Sequence, residues 1–483
     1  MSVITKAPIE VETEVGTEVG SSTEINALLP LLLISYMLQF LDKTTLGFAA
    51  IMGIRNDTHL VGQQYSWLSS SFYFGYLFAC YPASYGFVKF PIGKYLSVTM
   101  LLWAIVLSLH AAARNFGSLL TLRILLGIFE SVVSPGFSLL TVMYWKRSEH
   151  PFIHGVWYAG NGIASFFAGL IGYGINHIEG TIRPWQWLFI IFGITTFLWS
   201  LVLLILLPDS PATAKFITQH QREVLQARVQ SQQHSKNSGQ YESSQVKEAL
   251  LDPKSWLMSI FIFSTAAPSG ALSNFSSVII QGFGFTTLQT LLVNMPAAVV
   301  VVFLGLGGSW LSGRIPRIRC ILLAAYLLCA LLGVLLIRQL PSSNRIGRLF
   351  GIYLFNSTGA TFPIILSLVS SNISGYTKKT VVNAIFFIAY CVGSIVGPQT
   401  FISTEEPRGY PSAYAFMIFC LGLGVMMAIG LLVLMRRENN RRDREFGFID
   451  PYEVTTREYL VNMYELDEDR TDKEEERTYR YMY

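Results

Sequence analysis

Residues 118–142 read SLLTLRILLGIFESVVSPGFSLLTV, and in that whole stretch only Arg123 and Glu130 carry charge. A hydrocarbon core about 30 Å thick is crossed by about 20 largely apolar residues in a helix, so the stretch reads as one membrane span. Working outward from it, twelve such runs can be placed: 27–48, 65–87, 95–113, 118–142, 155–176 and 185–207, then 255–280, 286–310, 319–338, 347–370, 380–402 and 411–435. Between the sixth and the seventh lies a polar stretch, Asp209 to Lys254, whose QARVQSQQHSKNSGQYESSQ core has almost nothing to bury. The expected fold is therefore an all-α integral membrane protein of 12 transmembrane helices in two six-helix bundles, 27–207 and 255–435. A cytosolic linker, 208–254, joins them, and cytosolic tails, 1–26 and 436–483, flank them.

The composition agrees: 52% hydrophobic against 14% charged residues excludes a string of soluble domains. A net charge of +4 without a basic stripe excludes a nucleic-acid surface. The cysteines (Cys80, Cys320, Cys329, Cys391, Cys420) all fall in apolar runs without metal-ligand spacing and read as buried thiols. His150 and His154 flank Pro151 in what reads as a solvated loop, and no HExxH, GxSxG or P-loop is found, so no enzyme and no metal or other cofactor is expected. The acidic N-terminal stretch is the opposite of a basic leader. The expected partner is the lipid bilayer, with no nucleic acid, and the expected state is a monomer.

Basic residues cluster in the loops on one face: Lys89 and Lys94, Lys146 and Arg147, Arg314, Arg317 and Arg319, Lys378 and Lys379, then Arg436 to Arg444. By the positive-inside rule that face is cytosolic and carries both termini. The sequon at Asn56 then lies in a short outside loop, as a weak glycosylation candidate. The charged, tyrosine-bearing tail from Arg436 reads as a solvated segment.

Charges inside spans cost roughly 2.5–3.5 kcal/mol each on insertion scales and ask for a reason. Asp42 and Lys43 lie in the first span and Arg123 and Glu130 in the fourth; the second half has none in mid-helix. Neighbours at i and i+1 diverge by about 100°, so Asp42 and Lys43 need partners on another helix. Arg123 and Glu130 share a face but sit roughly 10 Å apart along the axis, too far for one ion pair. A cluster shared by the first and fourth helices follows, either a static ionic staple or a coupling device in which Asp42 and Glu130 handle a proton while Lys43 and Arg123 hold an anion. Tyr73, Tyr76, Tyr81, Asn161, Ser273, Asn274, Asn356 and Asn383 are candidates to complete it, with Tyr76 and Asn161 foremost. Gly160, Ala164, Ala168 and Gly172 make a smooth row on the fifth helix, with Gly305, Ser309 and Gly313 on the eighth and Gly393 and Gly397 on the eleventh. These rows are expected to form the sliding contact between the two bundles.

At these residues the sequence resembles the major facilitator superfamily and, within it, the fungal allantoate permease group of anion:cation symporters. The likeness is carried by LDKTTL at 41–46, YSWLSSSFYFGYL at 65–77, RILLGIFE at 123–130 with Pro135 and Gly136, LPDSP at 207–211, SNISGYTKK at 371–379 and VGSIVGPQ at 392–399. The resemblance implies an alternating-access uniporter or proton symporter for small organic anions such as ureido acids or vitamin carboxylates, in a fungal plasma membrane. By motif it gives proton coupling to Asp42 and Glu130 and the anion to Lys43 and Arg123. The chain departs from the group at Ser394, where the group usually has Asn, and in the loop at 86–95, which lacks the Asp-Arg pair of the general superfamily motif. The alternatives are an exporter or antiporter of a secondary metabolite with the same fold and a non-transporting nutrient sensor.

Overall fold

The computed structural model describes residues 28–145, 150–178, 180–210, 242–315, 317–448, 471–474, 476, 477 and 479–483; the expected N-terminal tail and the core of the linker lie outside them. The first half comprises α1 (Leu28–Ile51), α2 (Gln64–Lys89), α3 (Ile92–Leu109), α4 (Phe116–Glu130, continued by Val133–Tyr144), α5 (His150–Ile175) and α6 (Pro184–Leu206). The second comprises α7 (Pro253–Gly282), α8 (Thr287–Arg314), α9 (Arg319–Gln339), α10 (Arg345–Asn372), α11 (Tyr376–Gln399) and α12 (Pro411–Phe446). A short linker helix, Ser243–Leu251, precedes α7. Among the described residues nine helices are long and apolar enough to cross a membrane. The other three long ones, α1, α2 and α5, carry polar residues in mid-helix: Asp42 and Lys43, Ser69 to Ser71, and Asn161.

Two helices break at equivalent places in the two halves, each for the same local reason. Pro135 has no N–H for the carbonyl of Ser131, and α4 is interrupted just after Glu130. Pro363 withholds the same bond from Gly359, and α10 passes through a 3-10 segment, Asn356–Ala360.

Two of the three small-residue rows have another role than the one expected. A Cβ on Gly160 would come within 2.8 Å of the Leu33 carbonyl, and Ala164 and Ala168 on the same face are fully buried, so this face packs on α1 within its own half. Gly393 and Gly397 likewise abut the backbone of α7, at Phe263 and Ala267. Of the expected rows, Gly172 reaches across to the Leu291 side chain, and Ser309 of the α8 row meets Gly155 of α5. The residues of α5 that meet α8 are Gly155, Gly162 and Gly169, against Ser309, Ala298 and Leu291. The reason is geometric: α5 is sandwiched between α1 and α8, and residues two apart point about 200° from each other, so one helix carries two smooth faces. The packing repeats between the halves: α1 on α5 in the first corresponds to α7 on α11 in the second.

The halves seal on the face opposite the termini. Gln63 donates to the carbonyls of Gln399 (3.3 Å) and Phe401 (3.1 Å) and accepts from the Ser403 N–H (2.8 Å). Ser70 donates to the Ile395 carbonyl (2.7 Å), and Tyr65 donates to that of Asn274 (2.8 Å).

Near the termini three expectations are corrected. First, α12 runs on to Phe446 because Glu438, Arg441, Arg442 and Glu445 pair at helical spacing, as in Glu438–Arg442 (2.9 Å) and Arg441–Glu445 (3.0 Å). Second, the described residues of 471–483 are not a solvated tail: Thr471, Asp472, Arg480, Tyr481 and Tyr483 are buried. Third, His150 starts α5 and His154 is buried against the Trp157 ring, 5.3 Å between centroids, so neither stands in a free loop.

Candidate functional site

α4 is launched by a capping box in which Asn115 accepts from the Ser118 N–H and its own N–H is met by Ser118. Arg123 follows two turns in, and Glu130 comes at the end of the straight part, just before the break. Both face α1 and are buried; Asp42 on α1 is fully buried too, and Lys43 is 19% exposed at its side chain. The expected cluster of four charges therefore lies inside the protein and off its lipid-facing surface.

Its pairing is partial. Lys43 Nζ lies 2.7 Å from Glu130 Oε1. Asp42 takes no cation directly; its carboxylate accepts from the indole N–H of Trp103 on α3. Arg123 is within electrostatic reach of Asp42, Tyr65 and Glu130, yet its Nε and Nη2 are buried without a hydrogen-bond partner. One carboxylate–cation pair is closed and one cation is left over. Buried donors without partners cost about 1–3 kcal/mol each or more when charged, so Arg123 is the group that gains most from an added acceptor.

The other sequence-derived candidates divide. Tyr73 is buried beside Lys43 and Glu130 and lies across the half interface from Tyr390 of α11 at 6.0 Å between centroids, while Tyr76 is buried nearby against Phe72 and Ser134. Asn161 is buried with its Oδ1 unpartnered, next to Tyr158. Asn383 is half-buried on α11, seven residues before Tyr390 and hence on the same face of that helix, about 10 Å nearer the terminal end. Tyr81 is 84% exposed and is not brought to the cluster. Asn274 serves the seal through its carbonyl, and Asn356 turns its amide onto the Ile352 carbonyl (2.8 Å). Asn56 is exposed, but Thr58 of its sequon is buried with its hydroxyl on the Ile54 carbonyl (2.7 Å). Ser394, the departure from the group pattern, fits between Gly270 of α7 and Tyr73 of α2.

Several groups were missed. Gln39 lies next to Glu130, buried, with neither amide atom well bonded. Its signal was present, since it stands one turn before Asp42 and Lys43 on the same helix. Tyr36 and Tyr158 of the first half meet Phe362 and Tyr390 of the second: Tyr158 stacks on Phe362 at 5.4 Å, and Tyr36 lies 5.9 Å from Tyr158. Thus one half supplies the charges, and both supply the aromatic face. A separate apolar cleft of about 420 Å³ lies between Leu33 of α1, Val156 of α5 and Val302 and Trp310 of α8, and it contains none of the four charges.

The sequence profile of the Major Facilitator Superfamily matches residues 32–398. The Allantoate permease of Saccharomyces cerevisiae is 34% identical over 437 residues, covering 87% of this chain and 80% of that protein. The Thiamine pathway transporter THI73 of the same yeast is 32% identical over 443 residues, 89% of this chain and 84% of its own length. An uncharacterized transporter of Schizosaccharomyces pombe reaches 35% over 421 residues, 86% of this chain and 79% of its own. Among solved structures, a bacterial homologue of the human lysosomal transporter Spinster, in an inward-facing and occupied conformation, superposes with a TM-score of 0.62 at 17% identity, covering 86% of this chain and 98% of that one. The chain belongs to the Major Facilitator Superfamily, with fungal transporters, including allantoate permease, among its relatives. It is a multi-pass membrane transporter of small molecules.

Proposed function

We propose that this chain is a proton-coupled symporter of a small organic anion. The observation that supports the reading is Arg123: a buried guanidinium with two unpartnered nitrogens, beside a carboxylate that is bonded to an indole instead of to it. Arg123 would hold the carboxylate of the solute, with Lys43 sharing its field. An anion bound there adds one negative charge to a set of two acids and two bases that is formally neutral. A proton taken up by Asp42 or Glu130 restores that balance, so anion and proton enter together. Tyr76, Asn161 and Asn383 would contact the neutral part of the solute, with Tyr158, Phe362 and Tyr390 as the aromatic surroundings. The relative named for allantoate has a carboxylate in its name, which fits a carboxylate as substrate class here.

The sealed face is the external one in this reading, the termini are cytosolic, and the membrane is the fungal plasma membrane. The test is uptake of a panel of labelled carboxylates in permease-deficient yeast at acid and neutral pH. Accumulation is expected to be larger at acid pH, to collapse with a protonophore, and to vanish in Arg123→Ala at equal surface abundance. With Glu130→Gln the pH dependence flattens. Accumulation that survives the protonophore, or persists in Arg123→Ala, overturns the mechanism.

A further inference from the structure

The run 371–379, SNISGYTKK, stands out in the sequence but touches none of the four charges. It forms the turn between α10 and α11, and its polar groups hold the end of the chain. Asn372 donates to the Met482 carbonyl and accepts from the Met482 N–H, both at 2.7 Å. Asn439 of α12 makes the same reciprocal pair with Tyr481, both bonds at 2.9 Å. Two side-chain amides thus read consecutive backbone units, the way an extended peptide is gripped without regard to its side chains. Around them Tyr479 donates to the Ser371 carbonyl (2.7 Å), Arg442 of α12 donates to the Asp472 carbonyl (3.1 Å) and the Tyr481 hydroxyl (3.0 Å), and Lys254 of α7 lies 3.7 Å over the Tyr481 ring.

Side chains add specificity. Asp472 is fully buried, with its carboxylate on Lys254 and on Lys378 (2.6 Å), and it also accepts from the Tyr481 hydroxyl (2.7 Å). Lys378 also takes Glu248 of the linker helix (2.8 Å), which in turn accepts from the Thr471 hydroxyl (3.0 Å). Gly375, at φ +89°, leaves the space that Thr471 and Gln245 fill. The ends of α7, α10, α11, α12 and the linker helix are therefore bound through one segment.

We propose that the 371–379 turn, with Lys254, Asn439 and Arg442, is a built-in peptide-binding site whose ligand is the chain's own segment 471–483, and that its occupancy holds the transporter in the conformation sealed opposite the termini. The second clause rests on the transport reading. Closing the terminal face brings the ends of the two halves together, and the docked segment sits on the rim of one of them and ties its helices into a block.

The experiment uses the full chain in detergent and needs no solute. Hydrogen exchange is expected to be at least about 10-fold slower at the Tyr481 and Met482 amides of the parent than of Asp472→Asn, since a protected amide exchanges only on opening. Ser66 is buried in the seal, so in a Ser66→Cys background a maleimide reports the opening of that face. Labelling over the parent chain is expected to rise several-fold with Asp472→Asn or with removal of 471–483, and to stay level with Glu445→Gln. Unprotected amides at 481 and 482 in the parent overturn the site. Unchanged labelling at position 66 in the chain lacking 471–483 overturns the control. Neither readout involves an anion, so a failed uptake assay leaves both results standing.

Discussion

Lys43 and Glu130 make an ion pair whose acid is wholly buried, and their mutual dependence is measurable. Lys43→Ala strands a carboxylate in the interior and is expected to lower stability by about 3–5 kcal/mol, read from the melting midpoint in detergent. Adding Glu130→Gln should recover most of that loss; a double variant that loses the sum of both single effects would show the two do not interact. Trp103→Phe removes the donor to Asp42 and should cost about 1–3 kcal/mol by the same measure. The four charges were legible in the sequence because an ionised group in an apolar run is costly enough to need a cause. Gln39 was legible from its place one turn before Asp42 and Lys43, whereas Trp103 and the aromatic face were not, since apolar and aromatic residues in a membrane helix carry no such mark. Which way they point depends on the rotation of the helix about its axis.

At the level of the helix, α5 offers the sharpest contrast. Gly160→Leu thrusts a side chain into the backbone of α1 within one bundle and is expected to reduce folded protein, seen as loss of the monodisperse peak on size exclusion. Gly162→Leu thrusts one into Ala298 and Val302 of the opposite bundle, and is expected to leave both bundles folded while it abolishes transport. If the two variants behave alike, the assignment of faces is wrong. One smooth face was visible in the row Gly160, Ala164, Ala168 and Gly172; the second, Gly155, Gly162 and Gly169, and the neighbour each face meets were not, because α1 and α8 both demand close approach. The span boundaries were read well where hydropathy falls at a turn. They were read poorly at α12, where helix and apolar run end at different places because paired charges carry the helix beyond the lipid.

For the whole molecule, the seal and the docked end are the two places to intervene. Gln63 alone ties the first half to three backbone groups of the second, so Gln63→Ala should raise the share of molecules open on that face, measured as faster modification of Ser66→Cys. Unaltered modification would assign the seal to Ser70 and Tyr65. The docked end has a pH window that follows from Asp472. Burial pushes its carboxyl up, but Lys254 and Lys378 outweigh burial and bring it down to about 2, below the ordinary value near 3.9. A depressed acid stabilises the docked form above its free value and loses that stabilisation as pH falls toward the bound one. Protection of the 481 and 482 amides should therefore be full at neutral pH and fade only between about pH 4 and 2, when exchange is corrected for its intrinsic pH dependence. Twelve spans and their division into halves could be read from hydropathy, whereas the docking of 471–483 could not. Its grip comes from backbone amides and from a buried acid remote in sequence from its lysines.

Asp42, Lys43, Arg123 and Glu130 all ride on the first half, and their formal charges cancel. A membrane voltage does roughly 2.3 kcal/mol of work per elementary charge per 100 mV. With no net charge to carry, an empty carrier would return electrically silent, and under the proposed coupling of one monovalent anion to one H⁺ the loaded one would do so too. Solute flux would then follow the two concentration gradients and be blind to voltage.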